Sequence, residues 1–311
     1  QRNGVDTSKT VGRNRKERIF SRFKQEAKYI AIYECYQENQ WPISIMCELL
    51  NIGRSSYYKW LKHEETEHEK ENRELIELIK AIHYKYKGIF GYRRMTAWIN
   101  IYHGYHVNHK RIKRLMNVLG IKATIRTKKT PYRYTTAQSE ANNVLNRQFS
   151  ATVPNQKWVT DVTEFKLNGS SQKYYLSAIL DLYDLSIVAY QIGPKNDNNL
   201  VFSTFKEAFK KYPEAKPLVH SDRGYQYTSP NFKLILDRQD CTQSMSRLGC
   251  CIDNGPIENF WGQLKSEKYY LGNYQTVEAL IEDIEEYIEF YNTKRLQRRF
   301  KNQTPSEVRN Q

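Results

Sequence analysis

A chain of 311 residues is longer than one typical domain, and 39% hydrophobic content with 24 tyrosines supplies enough apolar surface for packed cores, which excludes a disordered protein. No apolar run approaches the roughly 20 residues needed to cross a bilayer, so no membrane partner is expected. The formal charge of +15 sits in one half: residues 1–150 hold 29 Lys+Arg against 14 Asp+Glu, whereas residues 151–311 hold 20 of each.

That division points to a polyanion-binding arm joined to a neutral working domain, with surface charge kept for solubility as the plainer alternative. The basic N-terminus QRNGVDTSKTVGRNRK lacks the apolar stretch of a secretion signal, so a cytoplasmic setting is expected. Its first residue is Gln1, which fits a fragment or one part of a fusion. The five cysteines are odd in number, form no Cys-x-x-Cys and are not spaced with histidines as zinc ligands, so reduced thiols are expected.

Residues 1–28 read as a basic arm. Across 29–63, YIAIYECYQENQ is helical, Trp41-Pro42 stops it, and Ile45, Met46, Leu49 and Leu50 resume helical spacing before the turn Asn51-Ile52-Gly53. A second helix opens with Ser55 and Ser56 as candidate caps. Helix, glycine-containing turn, helix is the helix-turn-helix pattern. Arg54, Ser55, Ser56, Tyr57 and Lys59 then stand near the start of its second helix, the end that reads base edges in a major groove. An ordinary helical hairpin fits the same spacing.

Residues 64–121 add a charged linking helix with Leu75, Ile76, Ile79 and Ile82 on one side, then a second hairpin. On its later helix Lys110, Arg111, Lys113 and Arg114 crowd the outer face, suited to lying along phosphates, with a solvated basic face as the alternative. Residues 122–156 read as a basic linker in which Arg126, Lys128, Lys129 and Arg133 would track a DNA backbone.

From Lys157 the pattern alternates. Val159, Asp161, Thr163, Phe165 and Leu167 fall on one strand face, Trp158, Thr160 and Val162 on the other. KYYLSAILDL and LSIVAYQI give two further strands, NNLVFSTFKEAFKKY a helix, Lys216 to Asp222 a fourth strand, SPNFKLILDRQ a helix and CTQSM a fifth strand. Helices starting near Pro256 and Val277 follow. Three antiparallel strands, helix, strand, helix, strand and two helices is a ribonuclease-H-like order. The expected fold is therefore mixed α+β and α/β: a five-stranded mixed sheet with helices as the core at 157–275, an all-α DNA-binding region before it, and a C-terminal helix and tail at 276–311.

In that order the first strand is central and the fourth lies beside it. An aspartate amid an apolar strand is costly to bury unless something pairs with it. Asp161 holds such a place, Asp222 ends the fourth strand, and Glu258 follows after thirty-five intervening residues on a helix whose Ile257, Phe260 and Leu264 face the core. Three carboxylates on strand, strand and helix can converge on two divalent ions ~3.5–4 Å apart, which suits phosphoryl transfer. Hard oxygen donors favour Mg²⁺ or Mn²⁺. Lys265, two helical turns on from Glu258, would stand over the same site and hold a phosphate. Taken singly, Glu258 reads better as a surface or capping acid, and Asp222 reads equally as one. Glu164 and Asp181 are rival acids, Asp253 reads as a helix cap, and His220 reads as a packed core histidine.

The segments WVTDVTEF, LVHSDRGYQYTS and MSRLGCCIDNGPIENFWGQLKSE resemble the catalytic signature of DDE transposases and retroviral integrases, and more narrowly of the bacterial insertion-sequence branch. PISIMCELLNIGRSSYYKW and FGYRRMTAWI…VNHKRIKRLMNVLGIKA are similar to the helical DNA-binding regions of that branch. In the closing segment YNTKRLQRRFKNQTPSEVR, Gln297 stands where many relatives carry His and Phe300 where they carry Leu. The resemblance implies that Asp161, Asp222 and Glu258 are catalytic and metal-binding, with two Mg²⁺ or Mn²⁺ ions per site. It implies a transposase of the bacterial cytoplasm, acting at the nucleoid, that cleaves 3′ ends at the terminal inverted repeats of its element and joins the freed hydroxyl to target double-stranded DNA. It further implies a homo-oligomer, because two ends must be held together. A DNA-binding regulator with an inactive core and a structure-selective nuclease of the same fold are the alternatives.

Overall fold

The computed structural model describes residues 25–124, 143–247 and 251–311, which form two compact units, Gln1–Glu74 and Leu75–Gln311. Most of the basic arm, and Arg126, Lys128, Lys129 and Arg133 of the basic linker, lie outside the described residues.

The first unit packs a helix through residues 25–39 (α1) against α2 (Ile43–Leu49) and α3 (Arg54–Leu61). Its core gathers Tyr29, Ile32, Met46, Cys47, Ile52 and Tyr57, with Tyr29 stacked on Trp60 at 5.5 Å. The turn between α2 and α3 puts Asn51 in the left-handed region at φ 53°, which asparagine tolerates better than most residues. Gly53 stands at the N-cap of α3 and no side chain caps that helix, so Ser55 and Ser56 are not caps. A capping box between Thr66 and Glu69 opens the long helix α4 (Glu67–Lys85), within which the division between the units falls.

In the second unit, Leu75, Ile79 and Ile82 of α4 pack with α5 (Tyr92–Tyr102) and α6 (His109–Val118). The Asn108 side chain caps α6 by accepting the Lys110 N–H at 2.8 Å. The sheet follows in the order β3-β2-β1-β4-β5, from β1 (Lys157–Lys166), β2 (Lys173–Asp181), β3 (Ile187–Gly193), β4 (Leu218–Ser221) and β5 (Thr242–Met245). The first three strands are antiparallel, and β4 runs parallel to both β1 and β5. Helices α7 (Asn198–Lys211) and α8 (Pro230–Asp237) supply the crossovers that parallel strands require.

The two-residue period of β1 divides the core. Val159 and Phe165 pack beneath α9 (Gly255–Glu267) and α10 (Val277–Thr293), while Trp158 joins Val201, Phe205 and Phe232 of α7 and α8 on the other face.

Residues 276–311 do not stand apart as a tail. Leu280, Ile284, Tyr287, Ile288 and Tyr291 of α10 are core residues, and Leu296 belongs to the cluster of the second hairpin. The last helix, α11 (Pro305–Arg309), carries Arg309 onto Asp184 at 2.6 Å and Asp181 at 3.1 Å, and its guanidinium covers the Tyr212 ring. These contacts, with Phe90 against Phe290 and Arg94 on Glu267, join the second hairpin and the core within the second compact unit.

Candidate active site

Asp161 stands opposite Ala178 in the middle of β1. The pairing of β1 with β4 ends at Val159 and His220, and two residues beyond on each segment come Asp161 and Asp222. Alternation gives both the face of Val159, the face that α9 covers. Burial, and then the charge of Asp222, push the Asp161 carboxyl up to about 7, against the lowering effect of the Trp261 indole N–H that donates to it and of the neighbouring Val162 N–H; Glu258 adds a smaller upward push. Asp222 is open to solvent on one side, yet the protein around it raises its carboxyl too, opposed by the Gly224 N–H at 2.9 Å.

The loop carrying Asp222 is fastened on several sides. Arg223 Nε donates to the Ser246 carbonyl at 2.7 Å, the Tyr225 hydroxyl donates to the Asn196 carbonyl, and buried Gln226 donates to the Asn196 side chain. A Cβ on Gly224 would lie 3.1 Å from Asp222 Oδ1 and 2.9 Å from Gln226 Oε1, so this position admits no larger side chain without moving the acid or its neighbour.

Helix α9 is seated directly against β1. Asn254 Nδ2 donates to the Thr160 carbonyl at 3.0 Å, one residue before Asp161, and Trp261 Nε1 donates to Asp161 Oδ2 at 3.0 Å. Ile257, Phe260 and Leu264 are buried as their spacing predicts. Asp253 does not cap the helix. It is fully buried and accepts from Arg247 at 2.9 and 3.0 Å, Arg147 at 2.6 Å and Asn143 at 2.9 Å, and the Arg247 bonds, first among these, hold its carboxyl well below the usual range. Two guanidinium groups outcompete the neutral helix N–H groups for that carboxylate. At the far end, Glu267 accepts from Arg295 at 2.6 and 2.9 Å and from Tyr287 at 3.0 Å.

Glu258 lies in the first turn of α9 with its side chain exposed, near enough to Asp161 for its charge to be felt there. Among the described residues no three His, Cys, Asp or Glu side chains are gathered tightly enough to hold a metal ion. The assembled element is thus the aspartate pair, with Glu258 on the helix above it. The donor set is oxygen only, and like charges brought together out of full solvent contact fit a hard divalent cation. Lys265 is half-buried, with its ammonium 5.2 Å from the centre of the Phe165 ring. Seven helical residues rise about 10 Å and four strand residues about 13 Å, so α9 runs alongside β1 and Lys265 stands further along the cleft than the aspartates.

The rival acids lie elsewhere: Asp181 is bound by Arg309, and exposed Glu164 pairs with Lys173 at 3.0 Å. His220 is fully buried between Ser244 and Ser246 at 2.9 and 3.1 Å, and burial lowers its imidazole to about 4, so it is neutral packing.

Family models of the integrase core domain match residues 151–251 and 258–311, and a model of an HTH-like domain matches residues 70–129. The putative transposase InsK for insertion sequence element IS150 of Escherichia coli (strain K12) is 39% identical over 273 residues, 87% of this chain and 94% of that protein. The chain belongs to the insertion-sequence transposases with an integrase core. The transposase for insertion sequence element IS904 of Lactococcus lactis subsp. lactis (strain IL1403) is 33% identical over 225 residues, 71% of this chain and 88% of that protein. The structure of the HTLV-2 integrase catalytic core domain in complex with magnesium is similar at a TM-score of 0.40 and 21% identity, over 50% of this chain and 97% of that one.

In this family member the HTH-like match falls on the second hairpin. Lys110, Lys113 and Arg114 are exposed on α6 and Arg111 is half-buried. On the earlier hairpin Arg54, Ser55, Ser56 and Lys59 are exposed, but Tyr57 is 1% exposed and packs against Tyr29 and Trp60. Tyr57 is therefore a core residue and not a base-reading one; its place on the inner face of α3 decides this. Trp261, Asn254, Arg147 and Asn143 were not singled out by motif. Only Trp261 had a signal, since it extends the apolar stripe of Ile257, Phe260 and Leu264. No helix among the described residues is long and apolar enough to cross a membrane.

Proposed function

We propose that this transposase cleaves the ends of its insertion sequence and joins them to target DNA in a reaction dependent on Mg²⁺ or Mn²⁺, with Asp161, Asp222 and Glu258 as the catalytic and metal-binding acids. The supporting observation is the pair of aspartates, Asp161 within β1 and Asp222 just past the end of the neighbouring β4, both with raised carboxyls, beneath the helix that carries Glu258. Two divalent ions held by these acids would neutralise charge on the attacking and leaving oxygens of an in-line phosphoryl transfer. No side chain needs to form a covalent bond, because water or the hydroxyl ending a DNA strand is the nucleophile.

Lys265 offers its ammonium to a phosphate further along the cleft. The exposed cations of α6 and of the start of α3 supply phosphate contacts on double-stranded DNA. Homo-oligomers hold the two element ends together. The deciding experiment incubates the protein with labelled element ends and target DNA, with Mg²⁺ or with chelator. Asp161→Asn, Asp222→Asn and Glu258→Gln should each abolish cleavage and joining while end binding survives. Full activity in any one of them refutes the assignment. Binding without any metal-dependent cleavage by the wild type would instead establish a regulator, and cutting of four-way junctions without joining a structure-selective nuclease.

A further inference from the structure

We infer that Trp261 is a positioning residue for Asp161, its indole N–H fixing one carboxylate oxygen so that the remaining lone pairs are presented to a cation. The inference rests on the metal-dependent reading above and deepens it. Trp261 Nε1 donates to Asp161 Oδ2 at 3.0 Å. An ionised carboxylate has about four acceptor sites, so this donor leaves about three for coordination. Indole is a donor only; it neither titrates nor competes as a ligand. It fixes the carboxylate without changing the charge of the site.

The indole is itself held. Trp261 is 6% exposed, tilted against Phe260 with ring centres 5.1 Å apart. The helix beneath it is tied at its start by Asn254 to the Thr160 carbonyl and at its end by Glu267 to Arg295. Trp261 and Glu258 are three residues apart and so share a side of α9. One rigid element thereby delivers the third acid and orients the first, and a displacement of α9 loosens both. Groups that orient a metal ligand are worth about 10–100-fold in metal affinity. A tryptophan present only to fill the core would carry no such weight.

The test uses the whole protein and Mn²⁺ alone, with free Mn²⁺ read by electron paramagnetic resonance. Trp261→Phe keeps the apolar bulk and removes the N–H; it should weaken Mn²⁺ binding by about tenfold. Phe260→Leu disturbs the same core without reaching a carboxylate, and should leave the affinity within about twofold while lowering the melting temperature. In the wild type, the indole N–H resonance that disappears in W261F should shift on addition of Mg²⁺. Should W261F not fold, Trp261→Met takes its place. Unchanged Mn²⁺ affinity in the variant lacking the N–H, or an equal loss in F260L, overturns the inference and leaves the proposed reaction standing. Absence of Mn²⁺ binding by the wild type itself refutes the metal-dependent reading, and this role with it.

Discussion

Replacing Asp161 by Asn should stabilise the metal-free protein at neutral and alkaline pH. The folded carboxyl is raised from an ordinary 3.8 to about 7. Between those values the folded state holds a proton that the unfolded state has released, so stability falls as pH rises through that window. The favourable contribution is complete below 3.8 and gone above about 7. Three pH units at about 1.4 kcal/mol each set a ceiling of about 4 kcal/mol. Asp161 is only partly buried, so solvent screening reduces this to about 2 kcal/mol. For a unit of this size that corresponds to a melting temperature about 4–8 °C higher for Asp161→Asn at pH 8 in chelator. The amide oxygen still accepts the Trp261 N–H, so packing is kept. At pH 4 the advantage should vanish, and Mg²⁺ should close the gap at pH 8 by stabilising the wild type alone. Scanning calorimetry at several pH values, with and without Mg²⁺, measures all three. A variant no more stable than the wild type at pH 8, or a difference that does not change with pH, refutes the electrostatic account of the site.

Gly224→Ala should reduce end cleavage by on the order of tenfold with the fold retained, because the new methyl displaces Asp222 or the tethered Gln226; circular dichroism beside a cleavage assay checks it, and full activity contradicts the close approach. Asp253→Ala leaves Arg247, Arg147 and Asn143 without their shared acceptor and should cost about 2 kcal/mol, discounted because both arginines are half-exposed; urea denaturation measures it, and no loss would mean the cluster holds nothing in place. Lys113→Ala and Arg114→Ala should weaken DNA binding uniformly across sequences, each lowering the slope of log K against log salt by about 0.9; an unchanged slope removes α6 from the DNA-binding face.

The alternation around Asp161 fixed its strand and face in advance, because one side of that strand had to be apolar above and the other below. The stripe of Ile257, Phe260 and Leu264 did the same for α9. Residue type and period carry that much, since burial enforces them. What they do not carry is partner choice among polar groups. Asp253 precedes a helix and looks like a cap, yet it is taken by Arg247 and by Arg147, a residue 106 positions earlier in the chain. Tyr57 stands in the first turn of α3 beside Ser55 and Ser56, yet a rotation of one residue about α3 puts it inside while Ser56 remains outside.

The same limit explains Trp261. Its period assigns it to the core, and the core assignment is correct, but an indole buried on that stripe still has to place one N–H. Which acceptor receives it depends on how α9 is rotated and advanced over β1, and that is set by Asn254 reaching the Thr160 carbonyl. A seat fixed on the backbone neighbour of Asp161 brings the indole within bonding distance of that aspartate and of no more ordinary partner among the described residues. The acids of the site are thus legible as letters. The seat of α9 over Asp161 comes from a neutral asparagine and a buried tryptophan on the helix that bears the third proposed acid.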